Sequence, residues 1–210
     1  MNAHPAPERL AFADADARLD GALSACFQGD YDTALVFDGD VVLDGDFLEA
    51  VTPIGGQGAD LIVITGDLTV TGPIALYENN PGLYVEGTTR AETLEGGDAE
   101  IYIQDGVFTH LVYGYYNHGI LEAGEVETPW VINSDHDLRI SAPGARHVDN
   151  HGSFSGAEFT DENIAEWFVP EVVHPEYGSI LVGEFLDRLR SGLPVLNLGP
   201  STSGETGAGA

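Results

Sequence analysis

The sequence predicts a mainly β fold: a single-stranded parallel β-helix (a solenoid) with coils of about 18–21 residues, capped by an N-terminal helix and by C-terminal helices. Three observations lead to this prediction. Short β-branched segments separated by glycine, aspartate and asparagine fill the middle of the chain. Apolar residues that precede turns recur there at nearly constant spacing. Apolar stripes at helical spacing appear near the two ends of the chain.

Residues 1–33 are predicted to form an arm and a capping helix, because an apolar stripe recurs there at i, i+3, i+4, i+7 and i+8. The stripe consists of Leu19, Ala22, Leu23, Cys26 and Phe27. Residues 1–15 carry acidic side chains where a signal peptide would have an apolar region. Since Cys26 is the only cysteine, no internal disulfide can form, and we expect a cytoplasmic protein.

Residues 34–159 are predicted to form the β-helix. The apolar or turn-preceding residues step along the chain by 21, 21, 18, 19 and 18 residues, at Leu43, Ile64, Val85, Ile103, Glu122 and Ile140. A repeat of this length holds two or three short strands with their turns, which is one coil of a solenoid. A β-sandwich or barrel is the alternative, although a sandwich would place turn signals every 8–12 residues.

Residues 160–198 are predicted to form C-terminal capping helices. Thr160 can cap a helix that ends before Pro170, and a second helix ends near Gly192. Helices at both ends would cover the open edges of a solenoid, which otherwise invite strand addition. Residues 199–210 have the composition of a disordered tail.

The charge is strongly negative, with 35 acidic residues against seven basic ones and a net charge of −28. Such a surface repels phosphate backbones and anionic lipid, so neither nucleic acid nor membrane is expected as a partner. A protein or small-molecule partner fits better, and a homo-oligomer is also compatible. The acidity equally suits solubility or adaptation to salt.

The segment from Ile64 to Val70 resembles the repeat of bactofilin-like polymer-forming β-helix proteins, and the likeness of pattern extends over residues 34–159. This resemblance implies a cytoplasmic right-handed β-helix that stacks end to end into filaments. The predicted helices at both ends of this chain would block such stacking.

Three histidines recur about one coil apart, which indicates a candidate metal site. His118, His136 and His151 are separated by 18 and then 15 residues, so coils in register would place them at one corner. Asp135 and Asp137 lie beside them, and imidazole with carboxylate suits a divalent transition metal. Aspartate and asparagine at solenoid corners also serve as purely structural turn residues.

An aromatic cluster near this corner indicates a pocket for a ligand or partner. It consists of His110, Tyr113, Tyr115, Tyr116 and Trp130. Packing of a loop against the solenoid would use the same residues.

Residues 55–63 match the calcium-binding nonapeptide at each fixed position. Calcium in such repeats lies between successive copies, and this copy stands alone, so calcium is less expected than a transition metal.

Two functions follow from these features. The first is a non-catalytic β-helical scaffold or binding protein that recognises a partner through its acidic sides or the Tyr/His-rich corner. The alternative is a small metal-dependent enzyme with a His/Asp site at that corner. Catalytic residues cannot be named from the sequence, and the question of enzyme activity stays open.

Overall fold

The first part of the chain folds as a parallel β-solenoid of about five turns. The computed structural model describes residues 3–116, 118–151 and 156–197. The chain forms two compact units, Met1–Thr160 and Asp161–Ala210, and the solenoid belongs to the first. The predicted mainly β class, with helices near both termini, is confirmed. The predicted tail, residues 199–210, lies outside the described residues.

The strands are β1 (Glu8–Ala11), β2 (Thr33–Phe37), β3 (Val41–Leu43), β4 (Leu61–Ile64), β5 (Leu68–Val70), β6 (Ile74–Leu76), β7 (Gly82–Gly96), β8 (Glu100–Tyr115), β9 (Ile120–Glu127), β10 (Trp130–Ser134), β11 (Asp137–Ser141) and β12 (Arg146–Asp149). The helices are α1 (Phe12–Arg18), α2 (Ala22–Cys26), α3 (Phe47–Val51), α4 (Ile164–Trp167) and α5 (Val182–Arg190). Short 3-10 turns cover Thr52–Ile54 and Pro170–Val172.

The parallel pairings build three faces. The first face contains β2, β4, the starts of β7, β8 and β9, and β11. The second contains β3, β5, the middles of β7 and β8 and the end of β9. The third contains β6, the ends of β7 and β8, β10 and β12. Strands β7 and β8 run through all three faces, and two shifts of register between them mark the corners.

The core fills the inside of the tube with apolar side chains that pair from coil to coil. One column of the first face contains Leu35, Ile62, Leu83, Ile101, Leu121 and Leu138. The first five of these side chains are almost completely buried, and Leu138 packs against them at the edge. Since burial of one such side chain stabilises by roughly 1.5–3 kcal/mol, the columns are the main support of the fold.

The register agrees with the predicted repeat in the middle of the solenoid but not at its start. Ile64, Val85 and Ile103 pair in one column, as their spacing predicts. Leu43 pairs instead with Val70 on the second face, and the residue that pairs with Ile64 is Phe37. The first coil is longer than predicted because α3 and a glycine-rich loop lie between β3 and β4.

The N-terminal arm closes one edge of the solenoid and covers its side. Strand β1 runs antiparallel to β2, and Ala3 pairs with Val42 of β3 through two backbone hydrogen bonds. The predicted single helix is divided into α1 and α2, because Asp20 and Gly21 adopt left-handed φ angles of 53° and 85°. Both helices pack on the outside of the first face, where Leu23 and Phe27 are buried.

The corner between the first and second faces is built on aspartate side chains that bind the backbone of the next coil. Asp40 accepts a hydrogen bond from the backbone nitrogen of Asp67 (2.9 Å), and Asp67 accepts one from Thr88 (2.9 Å). Asp105 accepts one from the nitrogen of Glu125 in the same way (2.9 Å). Part of the acidic composition therefore has a structural role.

The second unit contains α4 and α5 around a small apolar centre of its own. Ile164, Phe168 and Phe185 are fully buried, and the rings of Phe168 and Phe185 lie 6.1 Å apart. The Asn197 amide donates to the carbonyl of Phe168 (2.8 Å), which ties the end of the described chain to α4. Across the described ranges of both units, no helix has the length and apolar character needed to cross a membrane.

Candidate functional site

A pocket opens at the corner where the third face ends. It has a volume of about 240 Å³ and is lined by Tyr77, Glu78, Gly97, Asp98, Tyr115 and Tyr116. We call these six residues the aromatic pocket. They come from three successive coils, since each follows the paired strand ends at Leu76, Gly96 and Gly114.

Gly97 creates the opening between two tyrosines. It lies one coil below Tyr77, and its nitrogen donates to the carbonyl of Leu76 (2.9 Å). A Cβ atom at position 97 would lie 2.9 Å from the Cα atom of Tyr77, so a side chain does not fit there. Tyr77 and Tyr115 therefore meet across the glycine, with ring centroids 6.3 Å apart and planes at 78°.

The tyrosine rings continue along the corner in one contiguous row. The ring centroids of Tyr113 and Tyr115 are 5.9 Å apart, and those of Tyr115 and Tyr116 are 6.0 Å apart. The ring of His118 meets that of Tyr116 edge to face at 4.7 Å. Tyr113 is buried, whereas Tyr115 and Tyr116 are 46% and 47% exposed. Two large aromatic rings are thus available to a partner at the mouth of the pocket.

The backbone at this corner adopts conformations that non-glycine residues rarely take. Tyr116 has a φ angle of 70°, and Asn79 and Asp135 have φ angles of 59° and 60°. Left-handed φ angles are unusual for a bulky residue, and such conformations concentrate at functional sites. Tyr116 is therefore held in its exposed position at a cost in backbone energy.

A buried carboxylate supports the pocket from behind. Glu95 is 7% exposed, and its two oxygens accept hydrogen bonds from the hydroxyls of Tyr77 and of Thr93 (2.6 Å to Thr93). Burial and the charge of Glu95 raise the pKa of Tyr77. Burial also raises the pKa of Tyr113 to about 12. Both phenols therefore stay neutral at physiological pH and act as hydrogen-bond donors.

His136 braces the corner from the inside. Its Nδ1 lies 2.6 Å from the carbonyl oxygen of Tyr116, and because a carbonyl only accepts, Nδ1 carries the proton. The side chain fills the space beside Gly96 and Gly114, where added Cβ atoms would lie 3.3 Å and 2.8 Å from it. Its Nε2 is buried and has no hydrogen-bond partner among the described residues. Burial lowers the pKa of His136, so the imidazole is neutral at physiological pH.

The structure does not bring the predicted metal ligands together. His136 is buried, whereas His118 and His151 are exposed, and the backbone nitrogen of His151 donates to Asp149 (3.0 Å). Within the ranges that the structure describes, no group of three or more His, Cys, Asp or Glu side chains could hold a metal ion. The metal site stays a prediction, and metal analysis of protein purified without chelator tests it.

The two aspartates of the predicted metal site have other surroundings. Asp137 forms an ion pair with Arg139 (2.5 Å), and both side chains are about half exposed. Asp135 is exposed and follows Ser134, whose carbonyl accepts from Tyr116, so Asp135 lies near the mouth of the aromatic pocket.

Two of the five predicted pocket residues lie elsewhere. His110 faces Glu92, with 3.7 Å between Nδ1 and the carboxylate. Trp130 is buried under Arg146, whose guanidinium lies 5.2 Å from the indole centroid. Tyr113, Tyr115 and Tyr116 are brought together, as the sequence predicts.

Sequence reasoning missed Tyr77, Glu78, Glu95 and Gly97 as parts of the site. The signal was the coil repeat itself: Gly97 precedes Tyr115 by 18 residues, and Tyr77 precedes Gly97 by 20. Extending the spacing of one coil backward from Tyr115 finds both positions. Glu95 could not be found this way, since its contact with Tyr77 depends on the bend of the chain at the corner.

The glycine-rich loop of the calcium-like motif is engaged by an arginine. The guanidinium of Arg9 donates to the carbonyls of Gly55 (2.6 Å), Gln57 (2.7 Å) and Gly58 (2.8 Å). Asp60 accepts from the backbone nitrogen of Thr33 (2.8 Å) and from its hydroxyl. In this structure the motif ties the loop to β1 and β2.

Comparisons of the chain with protein-family models, with curated proteins and with solved structures find no match. The solenoid of about five turns is compatible with the β-helix that the bactofilin-like resemblance implies. The case for function therefore depends on the geometry of the corner.

Proposed function

We propose that this protein is a non-catalytic β-solenoid binding protein that recognises its partner through the aromatic pocket. The observation that carries the proposal is the exposed pair Tyr115 and Tyr116 beside a concave opening, with Tyr116 in a left-handed conformation. Tyrosine combines a large apolar surface with a polar tip, and it is enriched among the residues that dominate binding energies.

Rigidity supports binding at this corner. The rings of Tyr77 and Tyr113 are buried or partly buried, Tyr77 is anchored on Glu95, and His136 is bonded to the backbone of Tyr116. A partner that meets such a preorganised surface loses little free energy to ordering it. The chain with its single cysteine suits a reducing compartment, and we place the protein in the cytoplasm.

The test is a fragment screen observed on the protein. A set of small amines, carboxylates and neutral compounds is added to ¹⁵N-labelled protein, and the backbone amide shifts are followed by NMR. We expect some fragments to shift the amides of Gly97, Asp98 and Tyr116. The matched variants are Tyr115→Ala, which should abolish these shifts, and Tyr177→Ala, which removes a tyrosine that is 69% exposed in the second unit. A set in which no fragment shifts the pocket amides would contradict the proposal.

A further inference from the structure

We propose that the group entering the aromatic pocket is an organic cation, an ammonium or guanidinium head group. This inference rests on the proposed function, because it names the chemistry of the ligand for the same pocket. Its basis is the combination of aromatic rings with acidic side chains around a small opening.

The rings are arranged to enclose a cation. Tyr77 stands nearly perpendicular to Tyr115, and Tyr115 lies at 33° to Tyr116. Aromatic faces attract cations that approach within about 6 Å of a ring centroid, and cages of several rings are the usual sites for quaternary ammonium groups. The hydrogen bond from the Tyr77 hydroxyl to the Glu95 carboxylate increases the electron density of that ring, which strengthens this attraction.

The charges at the pocket have one sign. Glu78 and Asp98 line it and are exposed, and Glu95 lies behind Tyr77. None of the six lining residues is basic. The chain carries a net charge of −28, so its long-range field also draws cations toward the surface and repels anions.

The size of the pocket favours a head group over a larger molecule. Pockets for drug-sized ligands occupy about 300–1,000 Å³. The aromatic pocket, at about 240 Å³, is smaller and therefore fits one charged group with a short stem. Hard metal ions prefer a shell of several oxygen ligands, whereas the walls here are largely aromatic rings.

The test compares each cation with a neutral molecule of the same shape. Choline is paired with 3,3-dimethylbutan-1-ol, and N-acetylarginine amide is paired with N-acetylcitrulline amide. Each is titrated into the ¹⁵N-labelled full chain while the amides of Gly97 and Asp98 are followed. We expect each cation to bind about tenfold more tightly than its neutral counterpart. Tighter binding of choline would indicate a small amine as the natural source, and tighter binding of the arginine derivative would indicate a basic side chain.

Variants separate the contributions of charge and ring. Asp98→Asn should weaken binding of the cations several-fold, whereas Glu176→Gln, the same change at an exposed site of the second unit, should leave it unchanged. Tyr115→Ala should abolish binding, and Tyr115→Phe, which keeps the ring, should retain most of it. Dispersed NMR spectra of each variant show that the fold persists.

The outcomes distinguish this inference from the proposed function. Equal affinity for a cation and its neutral counterpart, or failure of either cation to shift the pocket amides, would overturn the inference. In both cases the binding function is judged separately by the neutral and acidic fragments of the screen. If those also leave the pocket amides unshifted, the binding function is wrong as well.

Discussion

Aspartate and glycine form matched pairs between successive coils of this solenoid. A Cβ atom on Gly66 would lie 2.4 Å from the Oδ1 atom of Asp40, and one on Gly87 would lie 2.4 Å from the Oδ1 atom of Asp67. Neither glycine has a positive φ angle, so the requirement for glycine is one of space. The recurring Gly-Asp dipeptides of the sequence reflect this close stacking, which a sequence reading interprets only as turns.

We therefore expect Gly66→Ala to destabilise the protein, because the new methyl group would displace the Asp40 carboxylate from its hydrogen bond. A loss of about 1–3 kcal/mol in the free energy of unfolding is typical of overpacking at a rigid backbone site. Denaturant titration measures it. Gly144→Ala is the control, since no atom lies within 4 Å of a Cβ atom there and the change should stay within about 0.5 kcal/mol. Equal stability of the two variants would show that the stacking is loose.

His136 gives the fold a dependence on pH. Burial lowers its pKa in the folded state, whereas the unfolded chain keeps a value of about 6.5. The unfolded state then binds more protons, so the free energy of unfolding should fall as the pH drops below about 6.5. The stability that His136 contributes is complete above that pH and is lost as the pH falls through its lower folded value.

The measurement compares unfolding free energies at pH 7.5 and 5.5 in His136→Gln and in His118→Gln. The carboxylates contribute to both variants alike, so their effect cancels in the comparison. We expect His118→Gln to keep the dependence of the parent protein, because His118 is exposed, and His136→Gln to show a weaker one. The role of His136 would be refuted by parallel pH profiles for the two variants.

At the level of elements, regular coils could be predicted from the sequence and inserted ones could not. The columns through Ile64, Val85 and Ile103 follow the repeat, since each coil there consists mainly of strands and tight turns. The first coil contains α3 and the loop at residues 55–58, which add length without a change in local composition. The histidine spacing likewise predicted a shared corner correctly in sequence distance. It could not predict that His136 turns inward, which depends on the space left by Gly96 and Gly114.

Arg9 links two elements that are far apart in sequence, and removing it should loosen the loop at residues 55–58. Its guanidinium satisfies three carbonyls of that loop, whereas β1 positions its backbone opposite Leu35. We expect Arg9→Ala to increase amide hydrogen exchange several-fold at residues 55–60, with little change in the third face. Arg90→Ala, which removes one half-exposed ion pair with Asp67, is the control and should leave these rates unchanged. Unchanged exchange in Arg9→Ala would mean that the loop is held by its own backbone.

At the scale of the whole molecule, the N-terminal arm decides whether one end of the solenoid can receive another strand. Strand β1 occupies the edge of β2, and Ala3 occupies that of β3. Open strand edges template pairing with a second chain, and proteins commonly cover them. The stacking into filaments that the bactofilin-like resemblance implies would require this arm to leave the edge.

Deletion of residues 1–11 should therefore convert the protein into one that self-associates. The deletion exposes the backbone groups of β2 and β3, while the remaining negative charge of each molecule still opposes their approach. Association should accordingly be greater at 0.5 M salt than at 0.05 M, because the Debye length shortens from roughly 14 Å to about 4 Å. Light scattering over a concentration series measures the effect, with the full-length chain, which we expect to stay monodisperse, as the control. A truncated chain that remains monodisperse at both salt concentrations would show that the arm is not what prevents stacking, and that the exposed edge is unsuited to pairing for another reason, such as its twist.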